Sequence, residues 1–225
     1  MTDKKKPASS SRGIHVRVKT AKKRSTSSTR WLARQLNDPY VVKARREGYR
    51  SRAAYKISEL DDKYHFFRQG LKVVDLGAAP GGWMQVAVER CGEDNVIGLD
   101  LLEVDPIPGA EFLQMDFMED EALSALASRI GKADIVLSDM APNASGQPSL
   151  DHLRIVTLVE AAFDYACGVL KPGGVFVAKV WQGGTANELL SRIKSRFDTV
   201  KHAKPKASRQ DSAETFLVAI GFKHG

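Results

Sequence analysis

Apolar and polar positions change period along this chain, and the change marks its elements. From Leu71 onward, short apolar runs recur: Val73-Val74-Asp75-Leu76, Asn95–Asp100, Glu111–Met115, Asp134–Ser138 and Val175–Ala178. Their length and their β-branched content predict buried strands. Between them lie longer segments with helical spacing, Trp83–Arg90, Glu119–Ile130, Leu150–Leu170 and Asn187–Phe197. Lys171-Pro172-Gly173-Gly174 stops the longest helix and turns the chain into a strand. Strand and helix in alternation imply βαβ units and a parallel sheet. Two β-rich runs, Thr199–Ala203 and Glu214–Ile220, finish the chain around a basic loop, Lys204 to Arg209.

The first 60 residues follow a different pattern. Residues 1–29 are rich in Lys, Arg, Ser and Thr, with Asp3 as the one acid and little periodic apolar content, so a basic flexible arm is expected. Its Lys4-Lys5-Lys6 and Lys22-Lys23-Arg24 suit phosphate contact at least as well as an organelle transit signal. Basic helices are expected over residues 30–62, the start of a single folded domain running from 30 to 225. Ser28-Thr29 is placed to cap the first, through Trp31, Leu32 and Leu36; Asp38-Pro39 starts a second, Tyr40 to Arg46; a third runs from Ser51 to Asp61. Arg45, Arg46, Arg50 and Arg52, interleaved with Tyr49 and Tyr55, read either as a phosphate-binding, base-stacking face or as a solvated face with two core aromatics.

Charge sharpens this division. Residues 1–60 hold 17 Lys and Arg against 4 Asp and Glu, and the remainder holds 17 against 23. A basic head on a mildly acidic body points to a polyanion bound through one region. No apolar run reaches the ~18 residues that span a bilayer, so no membrane partner is expected. Cys91 and Cys167 make no metal spacing, nor do His15, His65, His152, His202 and His224. A soluble cytoplasmic protein without a metal is the expectation.

Candidate chemistry centres on Val73 to Trp83. A strand ending in Asp-Leu-Gly, a small-residue turn and a helix start let the backbone approach a ligand closely, with helix N-terminal N–H groups facing it. Asp100, about 20 residues on, sits where a ribose-binding carboxylate belongs in nucleotide-binding α/β units. Asp116 and Asp139 close the next two strands, so successive strand ends each carry a carboxylate into one crevice. Lys179 closes a buried-looking strand and Glu214 begins another; a charge in such a place is costly unless paired or used. With Lys56 folded over the crevice, two ammoniums and two carboxylates converge. That set suits removal of a proton from a weakly acidic hydroxyl such as a ribose 2′-OH. Lys179 is the expected base, its proton affinity lowered by desolvation and by the second cation, Lys56. Asp139 and Glu214 orient the amines. A pair of salt bridges at strand ends is the plain alternative.

Taken together, Arg50-Ser51-Arg52-Ala53-Ala54-Tyr55-Lys56, Val74 to Trp83, Ser138-Asp139-Met140-Ala141-Pro142-Asn143, Ala178-Lys179-Val180 and Glu214 resemble the FtsJ/RrmJ family of ribosomal RNA 2′-O-methyltransferases. The resemblance runs from about Trp31 to the end. It implies a seven-stranded, mostly parallel Rossmann-like sheet with helices on both faces, and S-adenosylmethionine as methyl donor. It also implies a catalytic set falling on Lys56, Asp139, Lys179 and Glu214. By the same resemblance Gly81 and Trp83 sit at the cofactor loop, Asp100 holds the cofactor ribose, Asp116 its adenine, and Asp139 lies beside its methionine part. The implied substrate is a uridine of large-subunit rRNA on the assembled 50S subunit, and the implied state is a monomer. Two features depart from the family pattern: the length of the arm from Gly13 to Thr26, and the glycine-rich Trp181-Gln182-Gly183-Gly184.

Other readings are a tRNA 2′-O-methyltransferase, which the same residues would serve, and an RNA-binding assembly factor without activity. A nicotinamide dehydrogenase is disfavoured because Gly77-Ala78-Ala79-Pro80-Gly81-Gly82 lacks the second glycine of Gly-x-Gly-x-x-Gly. A base-carbon methyltransferase is disfavoured because neither cysteine lies near the fourth strand.

Overall fold

The computed structural model describes residue 20 and residues 25–142, 146–181 and 187–223. Its elements are α1 (Thr26–Asn37), α2 (Pro39–Glu47), α3 (Ala53–Tyr64), β1 (Val73–Leu76), α4 (Gly82–Cys91), β2 (Val96–Asp100), β3 (Ala110–Gln114), α5 (Asp120–Ile130), β4 (Ala133–Ser138), α6 (Pro148–Val169), β5 (Leu170–Trp181), α7 (Asn187–Arg196), β6 (Phe197–Ala203) and β7 (Glu214–Phe222). Residues 1–43 and 44–225 form two compact units. In the first, α1 starts inside the segment expected to be an arm. Ser25, not Ser28 or Thr29, is its cap and accepts a hydrogen bond from the Ser28 amide. In an unbroken Ser/Thr run the earliest residue free to bend out takes that role. The rest of the expected arm, with His15, lies outside the described residues, as do Asn143, Gln182-Gly183-Gly184 and His224.

In the second unit, a seven-stranded sheet runs in the order β3-β2-β1-β4-β5-β7-β6. β7 alone is reversed, pairing antiparallel with β5 and β6. This is the mostly parallel sheet expected. The α3 helix runs on past Asp61 because Asp62-Lys63-Tyr64 contains no breaker, and it ends at His65 in the left-handed region. Pairing of β5 starts earlier than expected. Leu170 already pairs with Ala133, and residues 171–174 form an irregularity before Val175 meets Ile135.

Side chains alternate strictly between two cores, as strand geometry requires. Val74, Leu76, Val136, Phe176, Ala178, Leu217 and Ala219 pack with Leu126, Ile155, Phe163 and Leu189 of α5, α6 and α7. Val73, Ile135, Leu137, Val175, Val177, Phe216 and Val218 pack with Ile57 and Leu60 of α3 and Trp83, Met84 and Val86 of α4. By the same parity Asp75, Asp139 and Lys179 belong to the face that α3 and α4 cover. No helix among the described residues is long and apolar enough to cross a membrane.

Candidate active site

Helix α3 and the strand ends of β4, β5 and β7 bring four charged side chains together. Lys179 lies opposite Phe216 in the β5–β7 register. Its Nζ donates to the Asp139 carbonyl at 2.5 Å and lies 3.1 Å from Asp139 Oδ1. Lys56 Nζ donates to Glu214 Oε2 at 2.7 Å, and Glu214 Oε1 accepts from Ser208 Oγ at 2.8 Å. The Lys179, Lys56 and Glu214 side chains are only 11%, 14% and 15% exposed. Phe216 makes the apolar floor, its ring centre 5.8 Å from Lys56 Nζ and 5.7 Å from the Trp83 ring. Ions this poorly hydrated persist when each has a partner, and here each has one. Burial pushes the Glu214 carboxyl up, but the Lys56 charge and the hydrogen bonds from Lys56 and Ser208 outweigh it, and the net shift is downward. Lys179 adds to that lowering, so the two pairs feel one another. The convergence expected from sequence is present. Phe216 and Ser208 were not anticipated. Phe216 had a legible signal, since it stands two residues past Glu214 in an alternating strand. Ser208 had none.

Beside this quartet, past the strand ends of β1 to β4, lies a cavity of about 490 Å³ walled in part by Gly77, Asp100, Asp116, Met140 and Pro142. That volume lies in the range of small-molecule sites. Asp100 accepts from the Ala79 amide through Oδ2 and from the Leu102 amide through Oδ1, each at 2.9 Å. Asp116 Oδ1 accepts from the Met118 amide at 2.9 Å. These bonds fix both carboxylates at the wall while leaving each with further lone pairs. Gly77 has φ +77°, and a Cβ there would stand 2.8 Å from the Met140 amide. Only glycine allows the loop so close to the segment after Asp139. Asp139 does not itself line the cavity; it joins the quartet to Met140, which does. Gly81 and Trp83 do not line the cavity. Gly81 precedes the first turn of α4 with φ +104° and packs against Ile107 and Val104. The Trp83 indole is buried and donates to the Ala53 carbonyl at 2.9 Å.

Asp75 was not singled out from sequence, yet it is the most unusual acid in the fold. It is wholly buried, and neither carboxylate oxygen has a hydrogen-bond partner among the described residues. Burial, then the charges of Asp139 and Asp100, push its carboxyl well above the ordinary range. Asp100 and Asp139 thus set a negative focus at adjoining strand ends beside the cavity, with the neutral Asp75 carboxyl behind it. Such a focus attracts a ligand that carries its own positive charge and repels a pyrophosphate.

The basic helix face is only partly free for RNA. Tyr55 is buried and donates to Glu47 at 2.7 Å, Tyr49 donates to Glu89 at 2.6 Å, and the two rings meet edge to face. Tyr55 is a core aromatic and the half-buried Tyr49 packs against that core, so neither ring is a free stacking platform. Arg50 donates to the carbonyls of Pro80, Asp105 and Pro106, and Arg52 to that of Ala207. Arg45 and Arg46 are exposed. Among the described residues no cluster of three or more His, Cys, Asp and Glu is placed to hold a metal.

Comparison with known proteins bears on the fold and the family. The family model of the FtsJ-like methyltransferases matches residues 49–222. The ribosomal RNA large subunit methyltransferase E of Paramagnetospirillum magneticum is 58% identical over 224 residues, covering 96% of this chain and 92% of the relative. The protein of the same name from Caulobacter vibrioides is 58% identical over 213 residues, covering 94% of each. Among solved structures, a ribosomal RNA methyltransferase of Plasmodium falciparum superimposes with a TM-score of 0.68 at 33% identity, over 77% of this chain and 98% of that one.

Proposed function

Because this chain belongs to the family of FtsJ-like methyltransferases, we propose that it methylates the ribose 2′-hydroxyl of a uridine in large-subunit rRNA on the assembled 50S subunit, acting as a monomer with S-adenosylmethionine as donor. The observation that carries this reading is the meeting of the Lys56–Glu214 and Lys179–Asp139 pairs beside the cavity. Relatives more than half identical are named for methylation of large-subunit rRNA, and the basic head of the chain suits that polyanion.

The residues present fit the proposed donor. Its ribose diol suits Asp100 and its adenine amine suits Asp116, both at the cavity wall. Its ammonium and sulfonium suit Asp139 and the neighbouring Asp75, whose carboxyl oxygens have no hydrogen-bond partner among the described residues. Its carboxylate suits the first turn of α4, which Gly81 precedes and Trp83 belongs to, outside the cavity wall itself. Bound there, the donor supplies a methyl group already activated on sulfur.

The remaining work belongs to the chain. With the donor bound, Lys179 as the free amine would take the 2′-hydroxyl proton onto Nζ as the methyl carbon passes from sulfur to oxygen, the broken bond's electron pair staying on sulfur. Lys56, pinned by Glu214, keeps a fixed positive charge near the developing oxyanion. Asp139 holds Lys179 through both backbone and side chain, which sets the direction of approach.

The test is methyl incorporation from tritiated S-adenosylmethionine into large subunits lacking the modification, followed by mass spectrometry of the rRNA nucleosides. A 2′-O-methyluridine that disappears with Lys179→Ala is expected. An unchanged rate in Lys179→Ala would reject the assignment of the base, and a methyl found only in tRNA would overturn the substrate.

A further inference from the structure

The loop between β6 and β7 is built onto the helix that carries Lys56. Arg52, Lys56 and Glu59 stand four and three residues apart, which places them on one stripe of α3. All three hold the same segment: Arg52 donates to the Ala207 carbonyl, Glu59 accepts from the Ala207 amide at 2.9 Å, and Lys56 meets Glu214. Ala207 is wholly buried and Ser208 is 3% exposed. The loop also holds itself. The Ser208 amide donates to Pro205, and Lys204 Nζ donates to the carbonyls of Gln210 and Ser212. Ser212 Oγ in turn accepts from the Glu214 amide at 3.1 Å. With its backbone fixed in this way, Ser208 can aim its hydroxyl in few directions, and it aims at Glu214 Oε1.

We infer that Ser208 is a positioning residue for methyl transfer: its hydroxyl holds one Glu214 oxygen so that the other is presented to Lys56. A carboxylate bonded only to Lys56 is free to rotate about its last torsion and carry the ammonium with it. Bonded at both oxygens, it holds the ammonium at one point beside Lys179. The hydroxyl keeps its proton throughout. The inference rests on the reading of Lys56 and Glu214 as catalytic machinery, and its test separates the two.

Methyl transfer into unmodified large subunits is measured for the parent, Ser208→Ala, Ser208→Thr, Glu214→Gln and the Ser208→Ala/Glu214→Gln double variant, each checked for folding by thermal unfolding. Loss of one hydrogen bond to a charged group predicts a fall in kcat of about tenfold in Ser208→Ala. The KM for S-adenosylmethionine stays within about twofold, and Ser208→Thr, which keeps the hydroxyl, recovers most of the rate. In the Glu214→Gln background Ser208→Ala adds little, because its only route to the chemistry is gone. A parent-like kcat in Ser208→Ala, with Glu214→Gln strongly impaired, overturns the role of Ser208 and leaves the catalytic set standing. An equal loss from Ser208→Ala with and without Glu214→Gln also overturns it. A parent-like rate in Glu214→Gln overturns the reading beneath.

Discussion

Replacing Lys56 by Met strands the Glu214 carboxylate. The pair is 2.7 Å apart, with side chains 14% and 15% exposed, so water replaces the lost partner poorly. Breaking a fully buried pair costs about 3–5 kcal/mol. Here Ser208 still donates to Glu214, and the Met side chain can lie on the Phe216 ring that Lys56 Nζ now overlies at 5.8 Å. A hydrogen bond to a charged group contributes about 1.5–3 kcal/mol, so a loss of about 2 kcal/mol is expected. For a domain of this size that is about 4–8 °C in Tm. Glu214→Gln removes the negative partner and keeps a hydrogen-bonding oxygen for Ser208. In the double variant neither charge is left alone, so its loss falls short of the sum of the single losses by about 2 kcal/mol. Urea unfolding of the four proteins at pH 7.5 measures this. Glu214 is lowered in the fold, so the contribution of the pair is complete above the ordinary glutamate value of about 4.3. It fades as pH falls from there through the lower folded value. The coupling should shrink accordingly in acid. Losses that add to within about 0.5 kcal/mol at pH 7.5 would refute the idea that the two charges depend on one another.

Two further outcomes follow from the strand ends. Asp75 is raised in the fold, so the stability it leaves intact at low pH is lost as pH rises above the ordinary carboxylate value of about 3.9 toward the folded one. Asp75→Asn should therefore gain on the parent in thermal melts as pH climbs from 4 to 7.5, while binding S-adenosylmethionine about tenfold more weakly in calorimetry; a stability difference that does not move with pH would count against a carboxyl held protonated there. Gly77→Ala sets a Cβ 2.8 Å from the Met140 amide at φ +77°, which should lower stability by about 2–3 kcal/mol in urea and abolish donor binding; a variant with parent-like stability and affinity would show that the close approach is dispensable.

Much of the fold was legible because it is local. Apolar runs of strand length, separated by helical spacing and by Gly and Pro, made the parallel sheet readable from Leu71 onward, and they put Asp100, Asp116, Asp139 and Lys179 at strand ends. Boundaries shifted where the local signal was degenerate, as in the Ser25 to Thr29 run, where several residues can cap, and at Leu170, where pairing begins before the apolar run does. The two tyrosines and Arg50 and Arg52 were left with two readings. Composition shows that cations and rings are present, but not that nearby carbonyls and carboxylates have already taken them.

By itself, then, the sequence determined the alternation of elements, the glycine loop and the row of acids at strand ends, since backbone geometry over a few residues dictates each. Only the tertiary structure decided that Lys56 meets Glu214 across 158 positions, that Ser208 grips the second oxygen, and that Asp75 has no hydrogen-bond partner among the described residues. Those outcomes depend on the reversal of β7 beside β5 and on α3 lying over that face. Contacts between distant segments arise when whole surfaces pack, and no short stretch of chain encodes which surfaces will meet.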